Sequence, residues 1–135
     1  MTGIDGTGAP TDGVALAASG NSWTSISDRA KKKDFEPVNL EEVLAKVQRM
    51  RVTYWRYRWQ DDSVTPLIGP VAQDLVGEFY PGMDDKCIST QQADGVHFAA
   101  IKALEERTRS LAAENAELRA ELETLQAIVE GLAGE

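Results

Sequence analysis

The chain has 135 residues, 22 of them acidic and 14 basic, a formal charge of −8, 42% hydrophobic residues, one Cys and one His. That length holds one modest domain with appendages. The acidic balance argues against nucleic acid as a partner, because such affinity comes mostly from Lys and Arg neutralising phosphates. A lone Cys87 and a lone His97 exclude an internal disulfide framework and the usual zinc or iron-sulfur ligand sets, so neither a metal nor another cofactor is expected. No stretch approaches the ~20 apolar residues that span a bilayer, and the N-terminus lacks the basic and apolar regions of a signal peptide. A soluble protein made in the cytoplasm, with no membrane partner, is expected.

Residues 1–22 are rich in Gly, Ala, Thr and Ser, with little large apolar content beyond Ile4, Val14 and Leu16. Such a segment buries too little surface to offset its backbone entropy, and reads as a flexible leader or the tail end of a larger passenger. From Trp23 the composition changes: residues 23–95 hold all the Trp and Tyr residues and most of the basic ones. This is the expected compact part.

Within it, Asn39 stands three residues before Glu42, and Leu40, Val43, Leu44 and Val47 recur at helical spacing. A capped helix from about Leu40 to Met50 follows. Val52 to Trp59 alternates, with Thr53, Trp55, Tyr57 and Trp59 on one face, which predicts a strand whose aromatic face is core rather than a sugar-binding platform. Residues 60–63 form a turn, Thr65 to Ile68 return as a second strand, and Pro70 opens a short helix from Val71 to Phe79. Lys86 to Ser89 reads as another short strand, with Cys87 as a small inert core residue, and Asp94 as the cap of the last helix. Asp61, Asp62, Asp84 and Asp85 lack the ligand spacing of a calcium loop and read as turn acids.

The last helix, in the segment 96–135, carries the clearest periodicity. Ile101, Leu104, Leu111, Leu118, Leu122, Leu125, Val129 and Leu132 alternate steps of three and four, interrupted by Thr108 and by Asn115 in the seam. A narrow stripe sustained over more than four heptads matches a coiled coil between separate chains. The helix from Val96 to Leu132 would reach roughly 55 Å and project from so small a core. Glu114 and Arg119 flank the seam with opposite charges that suit pairing between chains, and Asn115 would fix register. The seam residues do not by themselves decide the number of strands. His97 reads as a partly buried helix residue. The fold class is therefore α+β: a small mixed domain followed by a long C-terminal coiled-coil helix.

The run Ser27-Asp28-Arg29-Ala30-Lys31-Lys32-Lys33-Asp34-Phe35 resembles the start of the C-terminal intramolecular chaperone domain of phage endosialidases, tailspikes and tail fibres, a self-cleaving Ser-Lys peptidase family. Further similar motifs arrive in that family's order: Tyr54-Trp55-Arg56-Tyr57, Ile68-Gly69-Pro70-Val71-Ala72-Gln73-Asp74, Ile88-Ser89-Thr90, and Asp94-Gly95-Val96 running into Ala99-Ala100-Ile101-Lys102-Ala103-Leu104. The resemblance covers about residues 25–132. It implies a homotrimer with a parallel coiled coil, which guides assembly of an N-terminally fused tail fibre or tailspike passenger and then releases itself, with no small-molecule substrate. The passenger would belong to a phage tail or phage-like particle.

The same resemblance makes Ser27 and Lys32 the catalytic dyad and places the cut beside Ser27, between Ser27 and Asp28. An acyl shift from Ile26 onto the Ser27 hydroxyl would move it one bond earlier. Lys can activate Ser only as the neutral amine, a form favoured by burial and by neighbouring cations such as Arg29, Lys31 and Lys33. Family members often carry Arg or Asn where Ala30 stands and an apolar residue where Lys31 stands. These departures motivate an alternative, a trimerisation and capping module that does not cleave. A third reading, from another class, is a leucine-zipper scaffold that recruits a different protein through its acidic outer face.

Overall fold

The computed structural model describes residues 13–16 and 19–134. They divide into two units, one ending at Val38 and one beginning at Asn39, and each is described by itself. In the first unit, β1 (Val14–Leu16) pairs antiparallel with β2 (Trp23–Ser25), with Val14 opposite Ser25 and Leu16 opposite Trp23. The Thr24 hydroxyl adds a hydrogen bond to the Ala15 carbonyl at 3.0 Å. Part of the segment read as leader is thus a hairpin strand, because Ala15 and Leu16 meet the strand-forming Thr24 and Trp23 across the ladder. Residues 1–12 of that segment lie outside the described residues. The hairpin has no buried face: Trp23 is 69% exposed.

The second unit opens with α1 (Leu40–Arg49), whose cap is the predicted one: Asn39 Oδ1 accepts from the Glu42 amide at 3.1 Å. Glu41 and Glu42 stand in its first turn and Lys46 and Arg49 in its last, which complements the helix dipole. β3 (Thr53–Trp55) then pairs antiparallel with β4 (Leu67–Gly69), with Thr53 opposite Gly69 and Trp55 opposite Leu67. The predicted strand to Trp59 stops short. A turn closes instead, with the Gln60 amide donating to the Tyr57 carbonyl at 3.0 Å and the Tyr57 amide donating to Gln60 Oε1 at 2.8 Å. These bonds take the groups that a longer ladder would need.

The aromatic residues do not become core either. Trp55 is half-buried, Tyr57 packs edge-on against it and stacks on Trp59 at 4.4 Å, and Trp59 is left 78% exposed. Once the backbone turns, strict alternation no longer sends these side chains to one covered face.

α2 (Ala72–Phe79) follows Pro70 and starts one residue later than predicted, with Val71 extended at its cap. Lys86 to Ser89 has no ladder partner and runs irregularly into α3 (Thr90–Ala133), a helix of 44 residues. At 1.5 Å per residue α3 is roughly 65 Å long. Its cap is Ser89 rather than Asp94. Ser89 Oγ accepts from the Gln92 amide at 3.1 Å, and Gln92 Oε1 accepts from the Ser89 amide at 3.0 Å. This reciprocal box satisfies two otherwise orphaned donors one turn before Asp94 has any to serve.

The core is small. Val43 of α1, Leu75 of α2 and Val96 of α3 meet at its centre, with Val47, Met50, Phe79, Tyr80, Ile88, Ala99 and Ala100 around them. Ala103 is fully buried. The Tyr80 hydroxyl donates to the Gln92 carbonyl at 3.0 Å. Two bridges reinforce the packing: Arg49 to Glu78 at 2.7 Å, and Arg107 to Glu41. From Leu104 to Gly134 every residue is exposed. Only the first turns of α3 therefore pack on their own domain, and the architecture is α+β with a long projecting helix.

Candidate active site

The local chain path explains how residues five apart meet. After β2, Asp28 caps a single 3₁₀ turn, Arg29–Lys31, by accepting from the Ala30 amide at 2.9 Å. The turn closes with the Lys31 amide on the Asp28 carbonyl and the Lys32 amide on the Arg29 carbonyl, each at 3.1 Å. Lys32 then returns to extended backbone. This tight reversal carries its side chain back towards Ser27, and Lys32 Nζ donates to Ser27 Oγ at 2.7 Å. Both residues are exposed.

A Ser hydroxyl bonded to a Lys amine is the minimal arrangement for nucleophilic attack assisted by a base. A neutral amine in the same contact would accept the hydroxyl proton instead. The neighbouring cations are engaged locally. Lys33 lies 3.8 Å from the Asp34 carboxylate, and the Arg29 guanidinium sits 4.8 Å from the Phe35 ring centre.

Other singled-out residues are placed differently from expectation. Cys87 is a free, exposed thiol lining a surface groove with Trp55, Tyr57, Pro70 and Ile88, not a core residue, because its segment forms no strand. The His97 side chain is 70% exposed rather than partly buried, with Nδ1 4.0 Å from Asp94 Oδ1. It stands on the flank of α3 that α1 leaves open.

Asp61 and Asp84 act as turn acids, as their sequence predicts, accepting from the amides of Ser63 at 2.9 Å and Lys86 at 3.0 Å. The Ser63 hydroxyl and amide hold the Asp61 carboxyl below its ordinary range. Among the described residues, no three His, Cys, Asp or Glu side chains of one chain cluster to hold a metal ion. No helix among them is long and apolar enough to cross a membrane. The Arg107–Glu41 and Arg49–Glu78 bridges carried no usable sequence signal, since partners dozens of residues apart are adjacent only once the helices pack, whereas the Ser89-x-x-Gln92 spacing was a local capping signature that the reading of Asp94 as the cap passed over.

Residues 27–82 match the model of the family described as chaperone of endosialidase. Over that segment the chain is similar to the chaperone-of-endosialidase family. The match opens on Ser27 and runs through the 3₁₀ turn, α1, the β3–β4 pair and α2. That similarity supports an intramolecular chaperone role in a phage tail context. No curated protein matches the chain.

Proposed function

We propose that this chain is a self-processing trimerisation chaperone for an N-terminally fused tail fibre or tailspike passenger, with Ser27 as nucleophile and Lys32 as its base. The observation that carries this reading is the 2.7 Å contact between Lys32 Nζ and Ser27 Oγ at the first residue of the family match. The neutral Lys32 amine takes the Ser27 hydroxyl proton as Oγ attacks a backbone carbonyl. The tetrahedral centre collapses, its amide nitrogen leaves with the proton returned by Lys32, and water hydrolyses the resulting ester.

Ring strain bears on which bond breaks. Attack within one chain on the Ile26 carbonyl passes through an unstrained oxazolidine, whereas attack by Ser27 on its own carbonyl would close a β-lactone. A cut between Ser27 and Asp28 therefore fits attack by the Ser27 of a neighbouring copy. Both routes remain in the proposal, and the fragment mass separates them.

Trimerisation and folding are linked by entropy. Interwound β-rich trimers must align three chains before distant strand pairs reward the alignment. Parallel α3 helices joined along the exposed seam would raise the local concentration of the passenger chains and set them in register. Cutting afterwards removes the route back and traps the passenger kinetically. The chemistry is a single turnover on the chain itself, with no external substrate and no cofactor.

The test is intact mass under denaturing conditions, for the chain behind its natural upstream segment and for Ser27→Ala and Lys32→Ala. The expected result is a wild-type cut beside Ser27 that both substitutions abolish. The exposure of both dyad residues in a single chain favours a second reading, a trimerisation and capping module without cleavage. One uncut mass in all three samples, from protein shown to be trimeric, would select it.

A further inference from the structure

We propose that three copies of this chain build a divalent transition-metal site of the zinc class near the head of α3, with the three His97 Nε2 atoms as ligands and Asp94 orienting each imidazole. The proposal rests on the parallel trimer proposed above, and it begins from where the seam starts. Stepping back from Leu104 by three and then four residues reaches Ile101 and His97, and three more reach Asp94. The apolar stripe thus continues into a polar head on the same helix face.

That face is uncovered in the single chain. The side chains of Asp94 and His97 are 64% and 70% exposed, and Phe98 and Ile101 are 73% and 63% exposed. α1 and the core take the other flank of α3, through Val96, Ala99, Ala100 and Ala103, with Arg107 reaching Glu41. In a parallel trimer, equivalent seam residues stand at one height around the axis. His97 then meets its two copies, and so does Asp94 one layer earlier.

Such a head is costly without a cation. Three carboxylates converging on an axis repel one another, and three imidazoles turned inward leave ring nitrogens in need of partners. A divalent ion bound by the imidazoles offsets both, and imidazole is a common ligand for zinc-class ions. The Nδ1 edge of His97 faces Asp94 Oδ1 at 4.0 Å, which leaves Nε2 as the outward ligand. Histidine ligands of metals characteristically donate their second nitrogen to a carboxylate, and closing the 4.0 Å gap to Asp94 would supply that bond. A three-imidazole set leaves a coordination position for water. One chain lacks the ligands; threefold symmetry supplies them.

The test uses the untagged full chain carrying Cys87→Ser, so that no thiol competes, and Co2+ as the optical probe, with the oligomer read by sedimentation. Visible absorption of bound Co2+ should saturate at about one ion per three chains, as a His₃ site requires. Zn2+ should raise the thermal midpoint of the trimer, and EDTA should reverse the rise. His97→Leu, which continues the apolar seam, should keep the trimer and abolish both responses. Asp94→Asn should keep the stoichiometry and weaken Co2+ binding about 10- to 100-fold, the usual effect of removing a carboxylate behind a ligand. A trimer that takes up no Co2+, or a His97→Leu variant that binds it equally, overturns the site while leaving the trimer reading intact. A protein that sediments as a monomer or dimer overturns both.

Discussion

The Lys32–Ser27 contact invites a test of what the amine does rather than whether it is present. Lys32→Arg retains a long cation able to hydrogen-bond the hydroxyl, but a guanidinium does not give up its proton at any working pH. If Lys32 is the base, the arginine variant should fold normally and lose cleavage by about 10²-fold or more, the usual worth of general-base assistance. Intact mass over a time course, beside circular dichroism of the same sample, reads both. A variant that still cuts at the wild-type rate would remove Lys32 from the chemistry. Ser89 is the matching residue-scale test of structure: Ser89→Ala removes half of the capping box and should cost about 1 kcal/mol in denaturant unfolding. Asp94→Ala should cost less in that assay, since Asp94 caps nothing.

Pairs of helices depend on a few buried apolar side chains and on exposed ion pairs between them. Leu75 is only 2% exposed at the meeting point of α1, α2 and α3. Leu75→Ala should cost about 2 to 4 kcal/mol, visible as a lower denaturant midpoint. The ion pairs make a smaller, pH-dependent contribution. Hydrogen bonds from Arg107 to Glu41 and from Arg49 to Glu78 hold both carboxyls below their ordinary value of 4.5. A carboxyl whose folded value is lowered contributes stability above the ordinary value and loses it as pH falls through the lowered one. The thermal midpoint should therefore drop as pH is taken below about 4.5, with a shallower drop in Glu41→Gln and Glu78→Gln. Both pairs are exposed, so the difference between variant and wild type is small.

The proposed assembly would rest on the projecting part of α3. Its seam leucines are half or more exposed, including Leu111 at 56% and Leu122 at 58%, and in one chain nothing covers them. In that chain Asn115 Nδ2 donates to the Leu111 carbonyl at 2.8 Å, and the Thr108 hydroxyl donates to the Leu104 carbonyl at 2.7 Å. Both polar seam residues thus have a local partner in the separate helix. Asn115→Ile should raise the thermal midpoint of the oligomer while broadening its distribution of sizes in sedimentation, because a buried Asn trades stability for register. Unchanged stability would mean that Asn115 lies outside the contact between copies.

How much of this was legible in the sequence depends on the range over which each feature is decided. Local chemistry was open to reading: the Asn39 cap, the Asp61 and Asp84 turns, α2 behind Pro70 and the long helix α3 are all set within a few residues, where backbone geometry leaves few choices. The Ser27–Lys32 pair came from the family resemblance, and the 3₁₀ turn that closes it was not foreseen. The cap of α3, read at Asp94 and found at Ser89, was a local miss. The other failures share a cause: the strand beyond Trp55, the strand at Lys86 to Ser89, the core places given to Trp59 and Cys87 and the partial burial given to His97 all assumed a partner segment that alternation or apolar character cannot name. Tertiary packing decided those, because a ladder needs a second strand and burial needs a covering surface. Here a turn at Tyr57 to Gln60 consumed one ladder, no strand arrived for the other, and α1 covered the flank of α3 away from His97. By itself the sequence determined the helices and the Asn39 cap, short-range matters of sterics and hydrogen bonding. Only the folded chain decided which faces were left open, because that depends on contacts between residues far apart in sequence.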